Sequence, residues 1–268
     1  MGTIDKCVIL ARGLGKRMRA NDATVHLDPS QTAAADSGMK AMVPVGRPFL
    51  DYSLSALADA GFSHTCLVIG PEHVAIRNYY EQSVRLQRIR IEFAVQAEPL
   101  GTADAVLAAG EFFGPDEVLV LNSDNYYPLD VLIDAQGLGQ PGAVLFDAAS
   151  LVQASNIPAD RVRAFASCVV DNDGFLVDII EKPESPRAAG PKLVSMNCWR
   201  FSAEILRACR EVPISSRGEY ELPLAVRWAL QHGMQLRTCV SHSGVLDLSR
   251  RSDIGVVAAR FRHLQVQL

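Results

Sequence analysis

The chain has 268 residues, 49% of them hydrophobic and 21% charged, with a formal net charge of −4 at pH 7. That length and hydrophobic share bury a full core in one large domain and exclude a disordered chain, while the slightly acidic balance excludes a nucleic-acid partner held by a basic stripe. No apolar run is long enough to span a bilayer, and no basic segment followed by a cleavable apolar one opens the chain, so the expectation is a cytoplasmic protein with no membrane partner. The six cysteines are scattered, with no Cys-x-x-Cys and no histidine at zinc spacing, and read as buried thiols in a reducing compartment.

In chain order, the apolar run 6–11 is a buried strand that empties into Leu10-Ala11-Arg12-Gly13-Leu14-Gly15-Lys16-Arg17-Met18. Gly13 and Gly15 lack Cβ atoms and let backbone N–H groups approach phosphate oxygens, while Lys16 and Arg17 supply countercharge. The loop is an anion cradle by composition. A dinucleotide fingerprint would need glycine at Met18, and a P-loop would need glycine at Leu10 with Ser or Thr at Arg17, so neither is present. A tight strand-to-helix turn with a solvated basic patch has the same spacing and stays open on this segment alone.

Residues 20–38, rich in Ala, Asp, Ser and Thr without a clear period, are expected to form a mobile loop. Residues 49–60 place Leu50, Leu54, Leu57 and Ala58 on one helical face and stop at Gly61, and 65–69 is another buried strand. Helix 72–86, strand 89–95, helix 102–112 and strand 117–122 continue a βαβ rhythm. This predicts an α/β fold, a mostly parallel Rossmann-like sheet with helices on both faces and ligands at the carboxyl ends of its strands. Two strands, 165–170 and 175–180, flank Asp171-Asn172-Asp173-Gly174, a hairpin signal. They open a small β-rich acceptor-binding region over 150–201. Strand 193–201, helices 202–211 and 222–232, strand 234–240 and a closing helix near 251–265 complete a single domain, 1–268, without internal repeats.

The loop 10–18 resembles the signature of sugar-1-phosphate nucleotidylyltransferases, Leu-Ala/Gly-Ala/Gly-Gly-x-Gly-Thr-Arg-Leu/Met, with Lys40 and Pro44 following as the family's lysine and proline do. Four further segments are similar to family motifs in the family's order. They are Gln96-Ala97-Glu98-Pro99-Leu100-Gly101-Thr102-Ala103, Leu121-Asn122-Ser123-Asp124, Glu181-Lys182-Pro183 and Gly244-Val245-Leu246-Asp247. The resemblance implies attack by a sugar 1-phosphate on the α-phosphorus of a nucleoside triphosphate, giving an NDP-sugar and pyrophosphate.

It also implies roles. Leu10, Ala11, Gly13, Gly15, Lys16, Arg17, Gln96, Gly101 and Thr102 would bind the nucleotide, with Arg17 and Lys40 acting on its phosphates. Glu181, Lys182 and Asn197 would bind the sugar phosphate, Asn197 standing where the family has glycine. Asp124 and Asp247 would hold Mg²⁺, a hard cation that takes carboxylate oxygens and bridges phosphates. Such chemistry is alignment of two anions and neutralisation of charge, with no covalent nucleophile required.

Gln96 offers one donor and one acceptor, as uracil and thymine require, which favours UTP or dTTP; its neighbours are also similar to adenylyl- and guanylyl-transferring members, so the base stays open. Homo-oligomerisation is compatible with the chain. Arg12 stands where the family keeps a small residue, Lys16 replaces the usual threonine, and Arg17 and Lys40 are about a dozen positions further apart than usual. Arg12 could crowd the nucleotide or add a phosphate contact, and it motivates the alternative of a catalytically silent, nucleotide-binding regulatory paralogue. The insertion reads either as a lid over the substrates or as a tolerated surface segment.

Overall fold

The computed structural model describes residues 3–181 and 192–268. Four parallel strands, β1 (Lys6–Leu10), β2 (His64–Ile69), β3 (Arg90–Val95) and β4 (Val118–Asn122), lie side by side in the order β3-β2-β1-β4. After them come β5 (Asn125–Tyr126), β6 (Gly142–Asp147), the hairpin β7 (Ser167–Val170) and β8 (Leu176–Ile180), β9 (Leu193–Phe201), β10 (Arg237–Ser241) and β11 (Leu246–Asp247). β9 runs antiparallel between β4 and β6, and β10 pairs parallel with β6, so the long sheet reads β10-β6-β9-β4-β1-β2-β3 with the hairpin hung on β9. The mostly parallel sheet expected from the sequence is present, with β9 as its antiparallel member.

Period-two alternation explains why helices cover both faces. Cys7 and Ile9 point into a core with Leu67, Leu119 and Leu121, whereas Val8 and Leu10 point into a second core with Val68, Val118 and Val120.

The helices are α1 (Lys16–Arg19), α2 (Pro29–Ser37), α3 (Phe49–Asp59), α4 (Val74–Asn78), α5 (Thr102–Ala108) and α6 (Gly110–Phe113). The second half supplies α7 (Leu129–Gly137), α8 (Ala148–Ala154), α9 (Ala159–Val162), α10 (Ile205–Glu211), α11 (Leu222–Gln231) and α12 (Arg251–Phe261). Leu50, Leu54 and Leu57 of α3 pack on the first core, while Val106 of α5, Ile205 of α10 and Val226 of α11 pack on the second. A third core gathers Met18, Ala35, Phe49, Leu248, Ile254 and Phe261 beneath the glycine-rich loop.

Two differences from the sequence reading have physical causes. Residues 129–154 hold α7, β6 and α8, elements too short and too tightly joined to give a period. The stretch expected as an irregular loop over 20–38 holds α2. Asp28 accepts from the backbone N–H groups of Ser30 and Gln31, both at 2.8 Å, Gln31 returns a bond to the Asp28 N–H, Pro29 opens the helix, and Gly38 closes it at φ 75°. That Asp-Pro-x-Gln box was readable; an apolar face was not, because among its residues only Ala35 is buried.

All six cysteines are free thiols; five are buried as expected, whereas Cys239 on strand β10 is half-buried, and burial pushes the Cys168 thiol up to about 12. Among the described residues no helix is long and apolar enough to cross a membrane.

Candidate active site

β1 ends at Leu10 with Asn122 of β4 beside it, so the loops that follow these strands meet at one edge of the sheet. They line a cleft of two connected cavities. The first, about 450 Å³, is walled by Leu10, Ala11, Gly13, Gly15, Lys16, Arg17, Lys40, Gln96, Gly101 and Thr102, which are all the residues the sequence reading assigned to the nucleotide and its phosphates. The second, about 400 Å³, is walled by Glu181, Asn197 and Asp247 together with Asp160, Arg161 and Arg250. Arg17, Asn122, Asp124 and Arg217 line both. Lys182 lies outside the described residues.

The glycine-rich loop is tight because Gly15 takes φ 59° against the insertion: a Cβ there would overlap the carbonyl of Gly38. Arg19 donates to the Ser37 carbonyl from Nη2 at 2.6 Å, and Arg251 donates from Nε to the carbonyls of Met18 and Ala20 at 3.0 Å while its Nη2 meets Asp36. The insertion helix is thus docked onto the glycine-rich loop. Gly15→Ala is expected to destabilise the protein by about 1–3 kcal/mol, the cost of a strained left-handed residue, and to weaken nucleotide binding in parallel. Thermal unfolding with and without nucleotide reads both; an unchanged midpoint would refute the docking.

Arg12 lines the first cavity, but its guanidinium is taken up by protein partners. It is 6% exposed and turns into the protein, Nε donating to the Gln96 carbonyl at 3.1 Å, Nη2 to the Ala97 carbonyl at 3.4 Å, and Nη1 pairing with Glu72 at 2.9 Å. The pairing helps hold the Glu72 carboxyl below its ordinary value, after the larger effect of its own backbone N–H. Arg12 therefore ties the loops after β1, β2 and β3 together.

The reading of Gln96 needs correction. Its Nε2 donates both hydrogens inside the protein, to the Gly101 carbonyl at 3.0 Å and to Asp104 at 2.7 Å, so only Oε1 is left, as an acceptor. Gly101 is required at φ 119°, since a Cβ would overlap the Tyr220 backbone. The Leu222 N–H donates to the Thr102 hydroxyl at 2.8 Å. These bonds hold the 213–220 loop against the 96–103 segment and bring Arg217 to the seam of the cleft.

Arg217 was not found from sequence, and only its Arg-Gly pair before α11 hinted at an anion contact. It donates to Glu221 from Nε at 2.7 Å and to Glu181 from Nη2 at 3.2 Å. Arg17, by contrast, has no hydrogen-bond or ion-pair partner among the described residues.

Asp124 pairs with Lys40, Nζ to Oδ2 at 2.6 Å, and its side chain is 23% exposed. β11 pairs antiparallel with β5, Asp247 opposite Asn125, and the Leu248 N–H donates to the Asp124 carbonyl at 2.8 Å, so the two aspartates do converge. The Asp247 carboxylate is 7% exposed and surrounded: Oδ1 accepts from Asn125 and Ser249, each at 3.1 Å, and Oδ2 meets Arg161. Among the described residues no three His, Cys, Asp or Glu side chains form a metal cluster. Asn197 holds φ 58°, the one non-glycine residue at positive φ among those described; the position demands the left-handed conformation that glycine supplies in the family pattern and asparagine tolerates.

The model of the family described as nucleotidyl transferase matches residues 6–255. UTP–glucose-1-phosphate uridylyltransferase AglF of Haloferax volcanii is 29% identical over 229 residues, 85% of this chain and 84% of its own length. A glucose-1-phosphate thymidylyltransferase of Streptomyces griseus is 27% identical over 236 residues, 88% of this chain but 60% of its own length. Among solved structures, UDP-glucose pyrophosphorylase complexed with UDP-glucose superposes with a TM-score of 0.75 at 15% identity, covering 97% of this chain and 98% of that one. The UTP-bound enzyme of Acinetobacter baumannii gives 0.73 at 18%, covering 98% and 95%.

Proposed function

The chain belongs to the nucleotidyl transferase family, and from that premise we propose that it transfers a nucleotidyl group from a nucleoside triphosphate to a sugar 1-phosphate, releasing pyrophosphate. The observation that carries this reading is the double cleft whose two cavities share Arg17, Asp124 and Arg217. A phosphate from each side meets at that seam. The work required there is alignment and charge neutralisation, which cations and a metal-binding carboxylate at the junction provide.

In this reading the triphosphate lies along Gly13–Arg17 and Lys40, with Arg17 free to bind it in bidentate fashion. The base meets Gln96, whose remaining acceptor suits the N3–H of uracil or thymine; relatives that are uridylyl- and thymidylyltransferases support UTP or dTTP. Glu181 and Asn197 face the sugar and Arg217 its phosphate, to which the motif resemblance alone assigns Lys182. Asp124 fits Mg²⁺, having hard oxygen donors, partial exposure and a single displaceable countercharge in Lys40. When bound, the metal would neutralise charge on the reacting phosphates. A cytoplasmic setting, where the thiols stay reduced, is part of the proposal.

The test is pyrophosphate release over a panel of nucleoside triphosphates and hexose 1-phosphates with Mg²⁺. Release confined to UTP or dTTP is the expected result. Tight nucleotide binding without turnover on any acceptor would favour the silent regulatory paralogue, whose motivation was Arg12.

A further inference from the structure

Arg161 was invisible to the sequence reading, yet it stands at the wall of the second cavity between two buried carboxylates. Its Nη1 donates to Asp253 Oδ1 at 3.0 Å, Nη2 reaches Asp253 Oδ2 at 3.4 Å, and Nη2 also meets Asp247 Oδ2. All three side chains are 7–10% exposed. Asp253 in turn accepts from the backbone N–H groups of Ser249 and Arg250, at 2.9 and 2.8 Å, which fixes the first turn of α12. The next residue, Arg251, holds the carbonyls at the end of the phosphate-loop helix.

Both oxygens of Asp247 touch protein groups, although Oδ2 makes no hydrogen bond and has only an ion-pair contact. Oδ1 already accepts two hydrogen bonds, and Oδ2 faces a guanidinium that is itself locked by a second carboxylate. A divalent cation on Asp247 would have to expel Arg161 from a buried ion pair or sit in contact range of a fixed positive charge. Both are unfavourable in a poorly solvated site. Asp124 has neither obstacle, because its partner Lys40 is a flexible single-point cation.

We propose that Asp247 is the counter-anion of Arg161 and not a metal ligand, and that Arg161 supplies from within the protein a fixed positive charge beside a metal held by Asp124. This corrects the expectation that both aspartates coordinate Mg²⁺. It rests on the nucleotidyl-transfer reading for its need of a divalent cation.

The test is Mn²⁺ binding to the full chain, read as loss of the free-ion electron paramagnetic resonance signal without substrate or turnover. Asp124→Asn should abolish binding, Asp247→Asn should retain it with a Kd within about tenfold of wild type, the change expected from unmasking the Arg161 charge, and Arg161→Lys should resemble wild type. Arg161→Met, which removes a fixed positive charge from beside the metal, should tighten binding by about tenfold. Binding weakened by much more than about tenfold in Asp247→Asn, or no tightening in folded Arg161→Met, overturns the proposal. Should either variant fail to fold, a crystal structure of wild type with Mn²⁺ decides: an anomalous peak on Asp124 with Arg161 still against Asp247 supports it, and a peak on Asp247 overturns it. Because no turnover is read, an enzyme that releases pyrophosphate yet fails here loses only this assignment. Absent turnover with these binding results would instead remove the functional reading.

Discussion

Asp124→Asn is expected to lower kcat by about 10³-fold, several kcal/mol of metal-derived charge stabilisation at one decade per 1.36 kcal/mol, while the domain stays folded. The fold survives because the side chain is partly exposed and its polar partner, Lys40, can turn to solvent. Loss of the carboxylate also frees the Lys40 ammonium. Nucleotide affinity measured in EDTA by calorimetry should therefore hold or rise while turnover collapses. A variant that keeps wild-type kcat would remove Asp124 from the reaction, and one that loses turnover together with EDTA-resistant nucleotide affinity would point to collapse of the cradle.

Lys40→Ala should cost about 10²–10³ in kcat, the usual effect of deleting one preorganised charge from a transition-state site. Lys40 opens a short helical turn directly after the insertion, and its ammonium reaches Asp124 at 2.6 Å, so it joins the wall of the first cavity to the Asp124 carboxylate. Removing it leaves Asp124 without its countercharge, which should strengthen divalent-cation binding even as turnover falls. Steady-state kinetics with varied sugar 1-phosphate separate the possibilities. A change limited to the KM for that substrate would move Lys40 to the acceptor side.

Much of the site could be read from residue order. Every residue assigned to the nucleotide lines the first cavity, because a strand emptying into a glycine-rich loop fixes where backbone N–H groups and adjacent cations must point. The arginines at the seam and on the acceptor side were less readable. Arg161 sits in the four-residue helix α9 and Arg217 in the turn before α11, segments too short for a sequence pattern to set a direction. Each is aimed by partners far away in the chain, Arg161 by Asp247 and Asp253 and Arg217 in part by Glu181.

By itself the sequence determined the alternation of strands and helices, the hairpin at Asp171–Gly174, the glycine-rich turn after the first strand and the family, since periodicity, turn chemistry and motif spacing are local properties. Tertiary structure decided the rest. It placed β9 antiparallel inside the sheet, docked the insertion helix on Gly15, and spent the Gln96 donors and the Arg12 guanidinium on the protein. It also set Arg161 against Asp247. Each of these outcomes depends on which charged or hydrogen-bonding group lies across a fold of the chain, and buried polar groups must find such partners wherever the packing brings them.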